Sequence, residues 1–528
     1  MSQIKNIVNR FNSLKYYLLL ANVGLAAVLI ILSNLNILPI KNIGDFLFIA
    51  SAVFLFTLYR PGWGFLFFVG TIALETINLA PEDLGVAIRP YQLLGFFTFL
   101  AVAICYGTHR LNFSLPKFRW MDYVAALLVV SGFLSSLDAP DAFLATKQAM
   151  IICSFALLYF LVRIFVQDLE DVKRIAPFFF GSASVILIYG IWQNIIYKNG
   201  GNSFEVMPGR VNATFSEPDW YGIFLVFLLS ILYVFVYKLN EKIKIFGIKR
   251  NKTNFVLYLL IWVLIILAGM NLIMTVSRSA WLGAGVLVIS FLIYLLMKGE
   301  KWKLILEIIL SVLISIGLVY AFKFTDFELK NRLQSTASGK QEITISCERE
   351  MELPEVIGDV SVLDSYGCRH INLEEIESET SQGKFVGKIY RQDPNVNIRS
   401  EIYQKSWQAI KGNWFLGIGW GNISGILGKD ERGSGLNSSN VFLEAWLGAG
   451  IIGLIAFTVL IGQGLIRGKL FFWKKMKEGK FKREDSGMDY YYLFLILSAV
   501  AIIVPNLFNA GVMLGFLWLW LGLSFIEE

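Results

Sequence analysis

The 528-residue sequence predicts an all-α polytopic membrane protein with about 14 (12–14) transmembrane helices, and three observations carry that reading. Hydrophobic residues make up 56% of the chain and charged residues only 16%, with a mean hydropathy of +0.60. Apolar runs of about 18 residues recur along the chain, and as helices they match a hydrocarbon core about 30 Å thick. The loops between the runs alternate between basic and acidic or neutral.

The runs are 16–38, 43–59, 62–80, 90–107, 120–137, 143–163, 175–197, 219–238, 255–275, 279–297, 303–322, 441–466, 489–505 and 508–526. Arg60-Pro61-Gly62 is the turn between the second and third. Pro505-Asn506 splits the last two, which read as a kinked pair or a re-entrant hairpin. The first run, from Tyr16, lacks a small-residue cleavage site and reads as a spanning helix, not a cleaved signal.

With the N-terminus in the cytoplasm, the short loops on that side hold Lys5, Arg10 and Lys15, then Arg60, then Arg110, Lys117 and Arg119, then Arg163, Lys173 and Arg174. Lys238, Lys242, Lys244, Lys249, Arg250 and Lys252 follow, then Lys298, Lys301 and Lys303, and last the heavily basic 467–483, including Lys482 and Arg483. The opposite side carries Pro81-Glu82-Asp83 and Asp138-Ala139-Pro140-Asp141. This asymmetry places both termini in the cytoplasm and the large loop outside it. The net charge of +7 therefore reads as topology, with the bilayer as partner and no nucleic acid. The stretch 471–483 also suits anionic lipid.

The domains read as N-terminal transmembrane helices (1–197), central helices with the first external loop (198–322), a large extracytoplasmic loop (323–440) and C-terminal transmembrane helices (441–528). Within the large loop, 335–395 is polar and Glu-rich, with alternating runs at 342–346 and 384–390; it reads as a small β-containing insert or a partly disordered flap. Cys347 and Cys368 lie in it, either paired outside the cytoplasm or as two free thiols. Cys105 and Cys153 read as small core residues, and neither His109 nor His370 sits in metal-ligand spacing. Helical periodicity at 398–411 leads into the turn Gly417-Ile418-Gly419-Trp420-Gly421. That turn follows no strand and has no lysine of the Walker type, so it reads as a tight helix connection.

The stretch 274–285 joins two apolar runs with almost no loop and puts Arg278 at the join. A charge near hydrocarbon costs roughly 2.5–3.5 kcal/mol at a helix centre, so it needs a partner, water or an anion. Ser279, Ala280, Gly283, Ala284 and Gly285 allow another helix to approach closely. On the predicted topology Arg210, Arg278 and Arg399 fall on the outer side, with Arg89 near an outer helix end. Guanidinium forks match phosphate oxygens. A snorkelling arginine is the plainer reading of Arg278 alone.

Four blocks then resemble, in order, the O-antigen ligase and polymerase superfamily of bacterial envelope enzymes. They are Gly209-Arg210-Val211-Asn212-Ala213-Thr214-Phe215-Ser216-Glu217-Pro218; Thr275-Val276-Ser277-Arg278-Ser279-Ala280; Arg399 through Gly417-Ile418-Gly419-Trp420-Gly421-Asn422; and Ser439-Asn440-Val441-Phe442-Leu443-Glu444 with Gly448-Ala449-Gly450-Ile451-Ile452-Gly453. A large external loop between the second and fourth blocks is part of the resemblance.

The resemblance implies a GT-C-like glycosyltransferase of the bacterial cytoplasmic membrane, without cofactor or metal. It implies transfer of a glycan, with inversion, from undecaprenyl pyrophosphate to a sugar hydroxyl of a glycan or lipid acceptor at the outer face. Arg210 and Arg278 are then the pyrophosphate-binding residues, with Arg399 as a third. Ligases begin the fourth block with a histidine, whereas this chain has Ser439 and Asn440, neither a good base near neutral pH. The variant Phe215-Ser216-Glu217-Pro218 resembles polysaccharide polymerases, which favours a polymerase over a ligase.

Glu217 is the candidate base, raised in pKa by partial burial. The commoner role for a carboxylate there is a helix-start charge, with Asp219 beside it and Pro218 in the first turn. Glu75 reads as facing the cavity or pairing with a polar neighbour, and Glu444 as orienting Asn440 or an arginine or as a helix-start carboxylate. Trp281, Trp414 and Trp420 read as sugar platforms or as interfacial anchors. A multi-helix secondary transporter is the competing class. Against it stand the lack of an internal repeat and of matched Gly/Pro-broken helices.

Overall fold

The computed structural model describes residues 2–111, 113–207, 209–245, 252–299, 302–324, 340–349, 353–358, 360–371, 376–392, 394–429, 435–481 and 485–526. Lys249, Arg250, Lys301, Lys482 and Arg483 lie outside them, as do parts of the 335–395 insert and the side chains of Lys5, Arg10, Lys15, Lys242, Lys244 and Lys252.

The helices are α1 (Ser2–Asn34), α2 (Ile43–Tyr59), α3 (Pro61–Thr71), α4 (Pro90–Gly107), α5 (Trp120–Ser135), α6 (Ala142–Phe165), α7 (Leu169–Lys198), α8 (Pro218–Ile245), α9 (Lys252–Met274), α10 (Arg278–Lys298) and α11 (Trp302–Ala321). After the insert come α13 (Pro394–Gly412), α14 (Ile423–Leu427), α15 (Val441–Lys477), α16 (Gly487–Asn506) and α17 (Gly515–Leu523). Within it α12 is Ile376–Ser381. Among the described residues ten helices are long and apolar enough to cross a membrane, and α2 and α5 are shorter apolar helices.

Two of the fourteen apolar runs do not form full spanning helices. Run 62–80 holds only the 11 residues of α3, and run 508–526 only the 9 residues of α17. At about 1.5 Å per residue neither spans a bilayer core. Broken backbone at membrane depth survives only where its polar groups find partners. Here the segment after α3 pairs with the 209–217 loop: Thr214 donates its hydroxyl to Ala73 O (2.6 Å), and Thr214 O accepts from the amides of Glu75 (3.0 Å) and Thr76 (2.9 Å). The segment between α16 and α17 is closed by Asn506, whose Oδ1 accepts from Gly511 N (3.0 Å).

Helix α8 is the hub, buried almost all round from Tyr221 to Tyr237. Such all-round apolarity suits a helix surrounded by others. Two glycines set the spacing around it. A Cβ on Gly222 of α8 would lie 2.5 Å from Ala280 Cβ of α10, and one on Gly283 of α10 would lie 2.5 Å from Pro505 of α16. The small residues at 279–283 therefore do bring helices close, whereas Gly285 faces open space.

The two ends of the bundle differ in chemistry. At one end the starts of α8 and α10 meet the end of α16. At the other, Lys298 pairs with Asp485, which also accepts from the Tyr237 hydroxyl (2.6 Å). At that same end Arg119 (3.1 Å) and Arg163 (3.4 Å) reach Phe525 O, and Arg467 reaches Ser524 O.

The insert contains a four-stranded sheet of order β2-β4-β1-β3, with β1 at Lys340–Cys347, β2 at Val356–Ile357, β3 at Cys368–His370 and β4 at Phe385–Gln392. The two alternating runs of the sequence are β1 and β4, antiparallel with Cys347 opposite Phe385. Cys347 also stands opposite Cys368 in β3, and the two form a disulfide. Ser346, Arg369 and Lys384 all bond the buried carboxylate of Glu379, tying α12 to the sheet. Those bonds, Ser346 first, hold the Glu379 carboxyl down to about 2.

A second break shapes α15. Gly450 sits at φ 67° inside it, and a Cβ there would lie 2.0 Å from Phe415 O. The backbone freed by the break takes the Gly-rich turn: Ile451 N donates to Trp414 O (3.1 Å) and Ile418 N to Leu447 O (2.7 Å). The 414–421 turn is thus a helix connection seated in a helix break. Trp420 packs in the core against Gly132 and Gly448, so its ring is not a free platform, and the half-buried Trp281 is anchored by its Nε1 bond to Leu272 O (2.9 Å).

Candidate functional site

The corner between α9 and α10 is three residues long. Val276 adopts φ 51°, a left-handed conformation that a β-branched side chain enters only under constraint. Ser277 caps α10, accepting from Ala280 N (3.4 Å), and Arg278 is its first helical residue. The half-buried Arg278 therefore adds its charge to the amide-rich end of a helix, a combination that favours an anion.

Arg210 lies against the same corner. Its Nε donates to Thr275 O at 3.0 Å, Nη1 lies 3.1 Å from Met207 Sδ, and Nη2 is 3.3 Å from Asp219 Oδ2. Val211 N donates to Met274 O (3.1 Å), so the first block runs along the end of α9. The other oxygen of Asp219 accepts from the Ser277 hydroxyl. Asp219 thus links Arg210 to the cap of the helix that Arg278 begins.

The turn after α16 brings in the third and fourth blocks. Asn509 Nδ2 donates to Ser279 Oγ (2.8 Å) and to Pro505 O (3.0 Å). Arg399 of α13 reaches Phe508 O at 3.5 Å and lies over the Phe508 ring at 5.8 Å. Asn440 Nδ2 donates to Leu507 O (3.1 Å) while its Oδ1 caps α15. Three neighbouring residues, 507–509, therefore receive side chains from α10, α13 and the start of α15.

The remaining candidates divide. Ser439 sits at φ 52° with its amide on Asn437 Oδ1 (2.9 Å), in the turn before α15. Glu444 accepts from Ser438 N (2.8 Å), closing that same turn. Glu217 is half-buried at the start of α8, its carbonyl accepting from Tyr221 N (3.1 Å). Arg89 and Glu75 form their own cluster: Arg89 Nε lies 3.1 Å from Glu75 Oε2 and 2.6 Å from Glu75 O, and the Tyr91 hydroxyl donates to Oε2 (2.8 Å). Glu75 Oε1 takes the Gly515 amide at 2.7 Å, at the start of α17. So Glu75 pairs with polar neighbours, and Arg89 is drawn to it and not to the Arg210 corner.

Asp219, Asn509 and Glu205 were not singled out as candidates from the sequence. Asp219 stood there only as a helix-start charge, and Asn509 follows the noted Pro505-Asn506 break. For Glu205 no sequence signal exists. Its Oε2 accepts from Gly209 N (3.0 Å), one residue before Arg210, while Oε1 is buried with no hydrogen-bond partner among the described residues. Burial pushes the Glu205 carboxyl up to about 7, against the Gly209 amide and the Ser203 hydroxyl.

Among the described residues, ten helices long and apolar enough to cross a membrane, with a polar corner at one end of the bundle and a small β-sheet insert, define a multi-pass membrane protein. A family model described as O-antigen ligase matches residues 263–458, which takes in the second, third and fourth blocks. The resemblance to the O-antigen ligase and polymerase superfamily is borne out over that region, and it implies membrane glycosyl transfer of the ligase or polymerase type. No curated protein matches the chain.

Proposed function

We propose that this protein transfers a glycan from undecaprenyl pyrophosphate to a sugar hydroxyl at the outer face of the bacterial cytoplasmic membrane, with inversion and a GT-C-like architecture. The observation that carries the reading is the meeting of Arg210 with the Thr275–Arg278 corner, through Thr275 O and Asp219. The acceptor oxygen bonds to the anomeric carbon, the bond from that carbon to the pyrophosphate oxygen breaks, and its electron pair leaves with the pyrophosphate. Arg210 and Arg278, with Arg399 held on Phe508 in the turn that Asn509 ties to Ser279, are the proposed donors for the charge that develops there. Their positions are set before the substrate arrives, so little reorganisation is needed in the transition state. Glu217 is the proposed proton acceptor, with Asp219 holding Arg210 in place.

Orientation follows from the loop charges. The end holding Arg119, Arg163, Arg467 and Lys298 is the basic one and reads as cytoplasmic. The Cys347–Cys368 disulfide supports an oxidising compartment for the insert on the opposite side. A serine and an asparagine at 439 and 440, where ligases have histidine, favour a polymerase that extends a lipid-linked chain. The test is glycan analysis of a deletion strain complemented with wild type, Arg210→Ala or Arg278→Ala. Accumulated single lipid-linked repeats support a polymerase, and long chains on the carrier lipid support a ligase. Normal polymer with both variants at wild-type protein level overturns the proposal.

A further inference from the structure

The loop after α7 carries a group of side chains that the scheme above leaves unused. Tyr189 and Trp192 of α7 stack with centroids 5.6 Å apart, and Trp192 stacks on Phe204 at 6.4 Å with the planes only 14° apart. Trp192 and Phe204 remain 38% and 36% exposed. Phe204 adopts φ 56°, where a bulky residue stays only if its surroundings hold it. Asn202 Oδ1 accepts its amide (3.1 Å) and Gln193 Nε2 reaches its carbonyl (3.5 Å). The next residue is Glu205, with Oε2 on the amide beside Arg210 and Oε1 buried and unpartnered among the described residues.

We propose that Trp192, Phe204 and Glu205 form a saccharide subsite that holds the acceptor glycan, the rings taking the C–H face of a sugar and the Glu205 carboxyl taking a hydroxyl. This rests on the glycosyl-transfer reading. Aromatic faces are electron-rich and meet the positive edge of C–H groups. Glu205 is half-buried beside these rings, and its carboxylate can accept more hydrogen bonds than the Gly209 amide and the Ser203 hydroxyl supply, so a sugar hydroxyl can add one. A polyprenyl chain also covers aromatic rings but offers nothing to the carboxyl. The Ser203 hydroxyl, the Gly209 amide and the Tyr189 phenol are the groups facing this carboxyl. A carboxyl that titrates near neutral pH can both accept from and donate to hydroxyls.

The test uses the full-length protein in detergent and two probes. One is the lipid-free oligosaccharide released by mild acid from the carrier lipid of a deletion strain. The other is undecaprenyl pyrophosphate without sugar. Trp192→Ala and Glu205→Gln should each weaken oligosaccharide binding about tenfold, a change read directly in Kd. The acceptor KM should rise in parallel, with kcat and carrier affinity unchanged. Trp192→Phe, which keeps a ring, should restore binding, and Glu205→Gln keeps an acceptor for the Gly209 amide. Unchanged oligosaccharide binding in both variants overturns the subsite, as does a wild type that does not bind the oligosaccharide. Weakened carrier binding in its place marks the stacked rings as a lipid contact and also overturns it. If oligosaccharide binding responds as expected but the wild type shows no affinity for the carrier, the donor reading fails and the subsite stands.

Discussion

Asp219 Oδ2 lies 3.3 Å from Arg210 Nη2 while Oδ1 holds the Ser277 hydroxyl, so one carboxylate joins the first block to the cap of the helix begun by Arg278. Two segments some sixty residues apart in sequence become one rigid unit at the start of the central helix. Several consequences can be measured.

Asp219→Asn keeps an oxygen for Ser277 but removes the charge facing Arg210. A hydrogen bond to a charged group contributes about 1.5–3 kcal/mol. Glycan transfer by this variant should fall by about ten- to a hundredfold with protein level unchanged. In vitro transfer from purified lipid-linked donor measures it, and full activity would remove Asp219 from the site.

Removing the Arg210 or Arg278 guanidinium should cost more. Loss of one fixed donor to a developing anion typically lowers kcat by about 10²–10³. The Lys variants should recover only part of it, because an ammonium lacks the bidentate fork.

Glu75 satisfies the start of α17 through Gly515 N and pairs with Arg89. Deleting one partner of a buried ion pair costs about 3–5 kcal/mol. Glu75→Ala should therefore lower the Tm in detergent strongly, and Glu75→Gln less, because its carbonyl still accepts from Gly515. Equal Tm values for wild type and Glu75→Ala would show that the junction carries no load.

Gly450→Ala places a Cβ 2.0 Å from Phe415 O at a positive φ. The variant should lose folded protein on size exclusion, whereas alanine at Gly285, which faces open space, should be tolerated.

Burial pushes the folded Glu205 carboxyl up to about 7, above the ordinary carboxyl value of 4.5. The native state therefore binds this proton more tightly than the unfolded chain. The resulting stability is full below about pH 4, declines as the pH rises through the interval, and is gone above about 7. Glu205→Gln does not titrate, so its Tm should gain on wild type between pH 5 and pH 8. A Tm difference that stays flat over that range would contradict the burial of Oε1.

Much of this was readable from local pattern. Apolar length identified most of the helices, and period-two alternation found β1 and β4. The small residues after Arg278 announced a close helix contact, which Ala280 and Gly283 provide. The runs 62–80 and 508–526 misled, because hydropathy measures burial and not whether the backbone inside is helical. Their breaks are stabilised by Thr214 and Glu75, partners distant in sequence, and by Asn506 beside the second break itself. Arg89, by sequence a further guanidinium near an outer helix end, is held by Glu75 fourteen residues earlier, a pairing no local pattern shows.

By itself the sequence determined that the chain lies in a bilayer, which loops are basic, and which arginines stand at helix ends. Apolar length and charge placement act locally against lipid and water, so they can be read residue by residue. Only the tertiary structure decided which arginine meets which carboxylate, that Cys347 faces Cys368, and that residues 507–509 gather α10, α13 and α15. Those relationships depend on how helices far apart in the chain pack, and a linear pattern carries no distance between them.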